Sequence, residues 1–324
     1  MITIWLHKGK LQMNEVIIIG FGSQAKAWAL NFRDSKRELK IALRENSPSI
    51  ALAQKMGFET TLLSQLSAEK ANTFILLTPD HTHHETLELL DQQLSAGANL
   101  VYAHGYSYSA NNFKEKFPKF NHLLLAPKAI ASELRFQYES AGKLGAAFSV
   151  ENIEENQNQA KELIFSLAKD IGITAGPYPT TFLEETNADL FSEQTLLCSL
   201  LPYGALHAYN ELRKRGVSRE IAYLECWLEV KLIADAMVKM GPEEFFQLIS
   251  PNALLGGEKA QKVLFDESYH HKIEKLAQDI WNKDFFTECQ GLDFNTLRSS
   301  VLSRWANEEL TQTHRELSSQ LINK

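Results

Sequence analysis

Short apolar runs alternate with longer amphipathic segments over the first half of the chain. The apolar runs, rich in β-branched residues, predict strands at residues 15–20, 39–43, 73–78, 99–103, 122–126 and 145–150. Helical periodicity in several of the intervening segments predicts helices, the last at residues 154–170. This order is typical of a doubly wound α/β domain with a parallel sheet, the Rossmann-type arrangement.

The pattern changes after residues 172–181, a stretch rich in glycine, proline and threonine. From there onward the periodicity is helical, with breaks near Pro202, Gly216, Gly241 and residues 250–257. We therefore predict a Rossmann-type domain over residues 1–180, followed by an all-helical domain over residues 181–324.

Two pairs of acids in the helical half have mainly apolar surroundings: Asp189 with Glu193, and Glu225 with Glu229. Their i, i+4 spacing places each pair on one helix face. Helices that are apolar on most sides are usually buried, and buried carboxylates need partners. Nearby basic residues are too few, so the acids would suit one or two hard cations, Mg²⁺ or Mn²⁺. The alternative is exposed helix acids that pair with lysine and arginine.

The turn after the first predicted strand reads GFGSQA, a GxGxxA form of the dinucleotide-binding fingerprint. Gly20 permits the tight turn, and Gly22 lets the backbone approach a pyrophosphate at the helix N-terminus. A chance turn between strand and helix is the alternative, but a second strand follows at the right distance. The candidate cofactor contacts here are Gly20, Phe21, Gly22, Ser23 and Gln24.

The end of the second predicted strand bears on the choice of cofactor. Arg44, Ser47 and Ser49 offer a positive charge and two hydroxyls, which suit a ribose 2′-phosphate and favour NADP(H). Glu45 is a possible acid for the ribose hydroxyls of NAD, and Ser47 is also a candidate helix cap.

Polar side chains also follow three later strands, at residues 78–80, His104 and Lys128. Ligands of such sheets bind beyond the carboxyl ends of the strands, so these positions are candidates for a site. A satisfied strand-end side chain is the alternative for any one of them.

Composition and charge limit the kinds of molecule that the protein is expected to bind. The 324 residues carry a net charge of −7, which argues against nucleic acid or an anionic membrane as a partner. The three cysteines have no CxxC spacing, as expected of reduced thiols in a cytoplasmic protein. No apolar run reaches the length of a membrane span.

The ordered motifs resemble the ketol-acid reductoisomerases (acetohydroxyacid isomeroreductases), in their short form with a single helical domain. The likeness runs from about residue 15 to the C-terminal end of the sequence. The motifs that carry it are GFGSQ, LRENSPS, AHGYS, APK, EETNADLFSEQTLLC and AYLECWLEVKLI. The chain is a divergent member by this comparison, because residues 129–131 read Ala-Ile-Ala where the family usually has Gly-Pro-Gly.

The resemblance implies a role for each matching residue. Asp189, Glu193, Glu225 and Glu229 would bind two Mg²⁺ ions, and the four acids would come from two subunits of a homodimer with a shared active site, or of a higher oligomer. Arg44, Ser47 and Ser49 would bind the NADP phosphate. Further implied roles are cofactor contacts for Asp80, His83 and Ala131, catalysis for His104, Lys128 and Glu229, and a substrate contact for Ser250.

The implied reaction has two steps. An alkyl group of a 2-acetohydroxy acid such as 2-acetolactate migrates with the help of Mg²⁺, and NADPH then reduces the product to a 2,3-dihydroxy acid, a step of branched-chain amino-acid synthesis. The altered loop at residues 129–131 leaves two alternatives: an NADPH-dependent 2-keto acid reductase without isomerase activity, and a catalytically silent NADP-binding protein.

Overall fold

A computed structural model describes residues 15–66, 71–151, 153 and 157–321. The chain forms two compact units, residues 1–186 and 187–324. None of the helices within the described ranges combines the length and hydropathy needed to cross a bilayer.

The first unit is built on one eight-stranded sheet with the order β3-β2-β1-β4-β5-β6-β7-β8. The strands are β1 Val16–Ile19, β2 Leu39–Leu43, β3 Thr60–Leu62, β4 Thr73–Leu76, β5 Asn99–Tyr102, β6 Asn121–Pro127, β7 Gly145–Glu151 and β8 Ala175–Pro179. Neighbouring strands are parallel except β6 and β7. The prediction of a Rossmann-type domain is confirmed.

The expectation that every strand is parallel is wrong at β7. The connection between β6 and β7 contains a nine-residue helix, Ala131–Glu139, which Arg135 ties to the helix at Ser23–Asp34. The Arg135 guanidinium donates to Asn31 Oδ1 at 2.8 Å and pairs with Asp34 at 2.7 Å. The connection leaves and re-enters the sheet at the same end of β6, where Pro127 pairs with Ala146, so β7 runs antiparallel beside β6.

Apolar residues cover both faces of the sheet, which explains the nearly continuous apolar runs of its central strands. Val16 and Ile18 of β1 belong to one core, and Ile17 and Ile19 belong to the other. The helices of this unit are α1 Ser23–Asp34, α2 Ser49–Lys55, α3 His83–Gln93, α4 Tyr106–Asn111, α5 Phe113–Lys116, α6 Ala131–Glu139 and α7 Gln157–Asp170, and α8 Phe182–Ser192 begins here.

The second unit is helical throughout its described residues, as predicted. After α8 come α9 Leu200–Lys214, α10 Arg219–Tyr223, α11 Glu229–Leu248, α12 Pro251–Leu264, α13 Glu267–Trp281, α14 Asp284–Gln290, α15 Phe294–Ala306 and α16 Glu309–Leu321. Two π-helical turns, Glu193–Leu197 and Leu224–Leu228, follow α8 and α10. Its main buried apolar cluster is small: Leu206, Tyr209, Ala222, Tyr223 and Leu310.

Candidate active site

The fingerprint turn joins β1 to α1 and has two glycines with different roles. Gly20 has φ +101°, and a Cβ there would lie 2.8 Å from Thr78 Cγ2 and 3.0 Å from the Leu77 carbonyl oxygen. Only glycine fits this position without strain. Gly22 is exposed, and a Cβ there would meet nothing within 4 Å, so it faces open space beside the helix N-terminus.

Polar groups around this turn are available to a ligand. Gly22 has no side chain with which to cap α1, so the first backbone N–H groups of that helix are available to an anion. Gln24 donates from Nε2 to the Ala129 carbonyl at 3.1 Å. Gln24 Oε1 and Thr78 Oγ1 are buried without a hydrogen-bond partner among the described residues. A dinucleotide would supply partners, and the site fits one. Phe21 is buried and packs on Phe58, so only its backbone can reach a ligand.

The loop after β2 presents the residues predicted to bind the 2′-phosphate. Arg44 is exposed and forms no ion pair with any residue the structure describes. Asn46, with φ +60°, turns the chain, and Ser47 Oγ accepts from the Ser49 backbone N–H at 3.3 Å. Glu45 Oε1 lies 3.5 Å from the Ser64 hydroxyl, the outer limit of a hydrogen bond. The loop thus offers an unneutralised guanidinium and two hydroxyls to an anion.

A second group of candidate residues surrounds a buried carboxylate that contacts the ends of two strands. Glu185 of α8 is 3% exposed; its Oε2 accepts from Gly105 N at 2.7 Å and its Oε1 from Lys128 Nζ at 2.6 Å. His104 Nε2 lies 3.9 Å from Glu185 Oε2. A Cβ at Gly105 would lie 2.5 Å from the Phe182 carbonyl oxygen, so glycine lets the end of β5 approach α8.

The structure brings the sequence-predicted His104 and Lys128 to one carboxylate, which the sequence analysis did not name. A signal for Glu185 was present, because it lies four residues before Asp189 on the same helix face. His104 Nδ1 accepts from Tyr106 N at 3.2 Å, which places the ring proton on Nε2, the nitrogen nearer Glu185.

Asp80 and His83, for which the resemblance implies cofactor contacts, have different environments. The Asp80 side chain is 42% exposed. His83 is buried, its Nε2 donates to the Thr78 carbonyl at 3.0 Å, and the Ser107 hydroxyl donates to its Nδ1 at 2.7 Å. Burial lowers the pKa of His83, which keeps the ring neutral. Both ring nitrogens are therefore occupied inside the protein.

The altered loop after Lys128 is also resolved. Ile130 is 74% exposed, a high value for an apolar side chain, and its carbonyl accepts from Leu134 N at 2.9 Å as α6 begins. Ala131 is half-buried at the start of α6. Ile130 therefore adds an unburied apolar surface next to Lys128, where the family usually has proline.

The expectation that the four helix acids are buried is wrong for the single chain. Glu193, Glu225 and Glu229 are exposed and Asp189 is half-buried. The physical reason is that apolar residues of the same helices are themselves uncovered, among them Leu197 at 50%, Leu232 at 59% and Val238 at 88% exposed.

Exposure does not turn the second pair, Glu225 and Glu229, into ordinary surface ion pairs. Glu225 and Glu229 form no ion pair or side-chain hydrogen bond with the described part of the chain. The nearby Lys231 Nζ bonds instead to Asp235 Oδ2 at 2.6 Å. Uncompensated carboxylates at i, i+4 repel each other, and a hard cation would remove that repulsion, so the donor set fits Mg²⁺.

Each acid pair adjoins a π-helical turn, which sequence periodicity did not indicate. Cys198 N donates to the Glu193 carbonyl at 2.9 Å, an i to i+5 bond. The second π turn, Leu224–Leu228, contains Glu225 and ends beside Glu229. Such turns occur frequently at functional sites.

Ser250, the predicted substrate contact, caps a helix in this structure. Its Oγ accepts from Ala253 N at 3.3 Å at the start of α12. The hydroxyl proton stays available to a ligand.

Known proteins similar to this chain identify its family. Residues 10–176 match the model of the acetohydroxy acid isomeroreductase NADPH-binding domain, and residues 182–321 match that of the ketol-acid reductoisomerase C-terminal domain. The ketol-acid reductoisomerase (NADP(+)) of Helicobacter pylori (strain HPAG1) is 35% identical over 286 residues, 86% of each chain, and that of Helicobacter acinonychis (strain Sheeba) has the same identity and coverage. An NADH-preferring ketol-acid reductoisomerase from an uncultured archean has a similar structure, with a TM-score of 0.85 and 25% identity over 97% of this chain and 96% of that one.

A Rossmann-type domain with an open fingerprint turn, followed by a helical unit, is the arrangement expected of a nicotinamide-dependent oxidoreductase, and the matching NADPH-binding domain model and the names of the relatives place the chain in that class. Within that class, the chain belongs to the ketol-acid reductoisomerase family. The predictions of the family and of an enzyme are confirmed.

Proposed function

We propose that this protein is a Mg²⁺- and NADPH-dependent isomeroreductase of 2-acetohydroxy acids, of the 2-acetolactate type. The observation that carries the proposal is the buried Glu185 carboxylate, which holds the Lys128 ammonium and the backbone of Gly105. Both groups lie after strands of the sheet that also presents the fingerprint turn. A catalytic cation and a cofactor turn thus share the carboxyl edge of one sheet.

The chemistry of the first step is a migration. The tertiary hydroxyl at C2 of acetolactate loses its proton, and the methyl group moves with its bonding electrons from C2 to the ketone carbon C3. The C2–O bond becomes a carbonyl as the C3 carbonyl becomes a hydroxyl. NADPH then delivers hydride to C2, and a proton adds to its oxygen. Two bound Mg²⁺ ions would acidify the hydroxyl and polarise the ketone.

The side chains of the protein would divide the remaining tasks. Lys128 would stabilise negative charge on substrate oxygen, and Glu185 would hold that ammonium in place. His104, with its proton on Nε2, would donate a hydrogen bond beside them. Glu229 would carry a proton in addition to binding metal, and the Ser250 hydroxyl would bind the substrate. Asp189, Glu193, Glu225 and Glu229 would hold the metals.

The cofactor and the assembly belong to the same proposal. The exposed Arg44 guanidinium, with Ser47 and Ser49, supports NADP over NAD, as do the names of the curated relatives. The uncovered apolar residues around the acid pairs support a homodimer in which two subunits share each site. Branched-chain amino-acid synthesis is the pathway that this reaction would serve.

A second candidate is favoured by the loop at Ala129, Ile130 and Ala131. Because the usual Gly-Pro-Gly is absent and Ile130 is exposed, the site would be reshaped enough to reduce a 2-keto acid without catalysing migration.

One assay separates the candidates. NADPH oxidation is followed with Mg²⁺ and either 2-acetolactate or its rearranged form, 3-hydroxy-3-methyl-2-oxobutanoate. Turnover of both supports the isomeroreductase, and turnover of the rearranged acid alone supports the reductase. Turnover of neither, combined with NADPH binding but no Mg²⁺ binding by calorimetry, would identify a silent NADP-binding protein.

A further inference from the structure

We propose that His83 is a positioning residue that couples the dinucleotide turn to the Glu185 carboxylate through its two ring nitrogens. The inference rests on the proposed function and deepens it, because it assigns His83 to the interior of the site in place of a direct cofactor contact.

One ring nitrogen fixes the cofactor side. Nε2 donates to the carbonyl of Thr78, a residue that follows β4, at 3.0 Å. Gly20 lies close against Thr78, since a Cβ on Gly20 would come within 2.8 Å of Thr78 Cγ2. The Thr78 hydroxyl oxygen is also one of the buried polar atoms without a partner among the described residues. The bond from His83 therefore fixes the position of Thr78, the residue against which Gly20 of the dinucleotide turn lies.

The other ring nitrogen fixes the catalytic side. The Ser107 hydroxyl donates to Nδ1 at 2.7 Å, and Ser107 is fully buried in α4. Two residues before it, Gly105 N donates to Glu185 at 2.7 Å, and the same carboxylate holds Lys128. A single imidazole thus joins the ends of β4 and β5 and, through Gly105, the residues proposed to act on the substrate.

The two bonds require a neutral ring with the proton on Nε2. Burial lowers the pKa of His83, against the opposing charge of Asp80, whose Oδ1 lies 3.9 Å from Nδ1. The other charged or titratable groups that act on the ring are His81, His104 and Tyr102. A second ring proton would face the Ser107 hydroxyl and break the bond that it donates.

Three variants test the coupling in the full-length protein. His83→Leu removes both bonds, His83→Gln keeps one donor and one acceptor, and Ser107→Ala removes only the catalytic-side bond. We measure the Kd for NADPH by fluorescence without substrate or metal, kcat with 2-acetolactate, and the thermal midpoint. His83→Leu should weaken NADPH binding and lower kcat, each about tenfold, whereas His83→Gln should stay within about threefold of the unaltered protein.

Ser107→Ala separates the two sides. It should lower kcat about tenfold while the Kd for NADPH changes by less than about twofold, because the bond to Thr78 remains. His84→Gln is the matched control, since this neighbouring histidine is 40% exposed on its side chain, and no change in Kd or kcat is expected.

The proposal is overturned if His83→Leu lowers only the thermal midpoint, or if His83→Gln is as impaired as His83→Leu. If His83→Leu does not fold, the comparison of His83→Gln with Ser107→Ala still tests the coupling. Equal effects of these two variants on Kd and kcat would reject it. An unaltered protein that binds NADPH but turns over no acetohydroxy acid refutes the proposed function instead, while the Kd series still tests the cofactor side.

Discussion

At the scale of single residues, His122 shows how strongly this fold can hold a histidine neutral. It lies in β6, where Nε2 donates to the Phe117 carbonyl at 3.0 Å and Tyr102 donates to Nδ1 at 3.0 Å. The Tyr108 ring packs on it, and Tyr108 in turn donates to Glu151 at 2.9 Å. Burial lowers the pKa of His122 from 6.5 to about 4. Sequence patterning marked this histidine only as the start of a strand.

That shift predicts an acid-dependent loss of stability. Below pH 6.5 the unfolded chain protonates this histidine and the folded chain does not until about pH 4. The stability that the neutral His122 contributes is therefore fully present above pH 6.5. As the pH falls toward 4 this contribution is lost, which lowers the free energy of unfolding by about 3 kcal/mol. His122→Leu should reduce the fall in unfolding free energy between pH 7 and pH 4 by about that amount, measured by urea unfolding. The exposed His270→Leu is the control, and equal pH dependence in both variants would contradict the prediction.

The candidate site residues also show how much of a site can be predicted from a sequence. His104 and Lys128 were predictable because each polar residue directly follows an apolar strand, and the strand ends of such sheets bind ligands. Glu185 was not predicted, because its importance depends on partners that are 80 and 57 residues away in the chain. Spacing along a helix shows that Glu185 and Asp189 share a face, but only packing shows that Glu185 is buried.

At the scale of elements, the strand–turn–helix unit at β1 and α1 predicts opposite effects for its two glycines. Gly20→Ala should lower the thermal midpoint, because alanine is strained at φ +101° and its Cβ would meet Thr78 at 2.8 Å. Gly22→Ala should leave the midpoint unchanged, since its Cβ would enter open space, yet weaken NADPH binding about tenfold by obstructing the pyrophosphate. Calorimetry and fluorescence titration measure the two effects. Full NADPH affinity in Gly22→Ala would place the cofactor elsewhere.

The acid pairs beside the π turns give the second prediction at this scale. Glu225→Gln and Glu229→Gln should each weaken Mg²⁺ binding about tenfold or more, because each removes a charged oxygen ligand. NADPH affinity should not change. Glu244→Gln, an exposed acid of α11 beyond the non-helical Gly241, is the control and should bind Mg²⁺ normally in calorimetry. Three indistinguishable isotherms would mean that these acids are ordinary surface charges.

Elements were predictable from the sequence in proportion to their burial. β1, β4, β5 and β6 are covered on both faces and read as continuous apolar runs. Two edge elements were missed, Thr60–Leu62 and Ala175–Pro179, because the first is three residues long and the second contains glycine and two prolines. The π turns were missed because each is a single segment of five residues, too short to be distinguished from α-helix by periodicity.

At the scale of the whole molecule, the remaining difference between prediction and structure is the exposure of apolar side chains. The sequence predicted buried helices around the acid pairs, but Leu197, Leu232 and Val238 are 50%, 59% and 88% exposed. Periodicity shows that a helix face must be covered, and it does not show which molecule covers it. In the homodimer proposed above, a second copy of the chain would cover this face.

This assignment predicts that a charge at Val238 weakens the dimer. Val238→Asp should raise the dimer Kd about tenfold or more, because a carboxylate would be buried where an apolar side chain was removed from water. Sedimentation over a range of concentrations measures the Kd. Phe136→Asp is the control, since Phe136 is 59% exposed on α6 of the first unit. A monomeric unaltered protein, or an unchanged Kd in Val238→Asp, would contradict the prediction.

A shared active site makes a further prediction that a simple dimer does not. If Asp189 comes from one subunit and Glu225 from the other, Asp189→Asn and Glu225→Gln each disable both sites of a homodimer. In a mixed dimer both substitutions fall in one site, and the other site keeps all four acids. Random exchange makes half of the dimers mixed, so mixing two inactive variants should restore about a quarter of the normal activity. The same mixture with the double variant Asp189→Asn/Glu225→Gln in place of Asp189→Asn should stay inactive, because every site then contains an altered acid. No recovery in the first mixture, with subunit exchange verified by mass, would place all four acids of each site in a single chain.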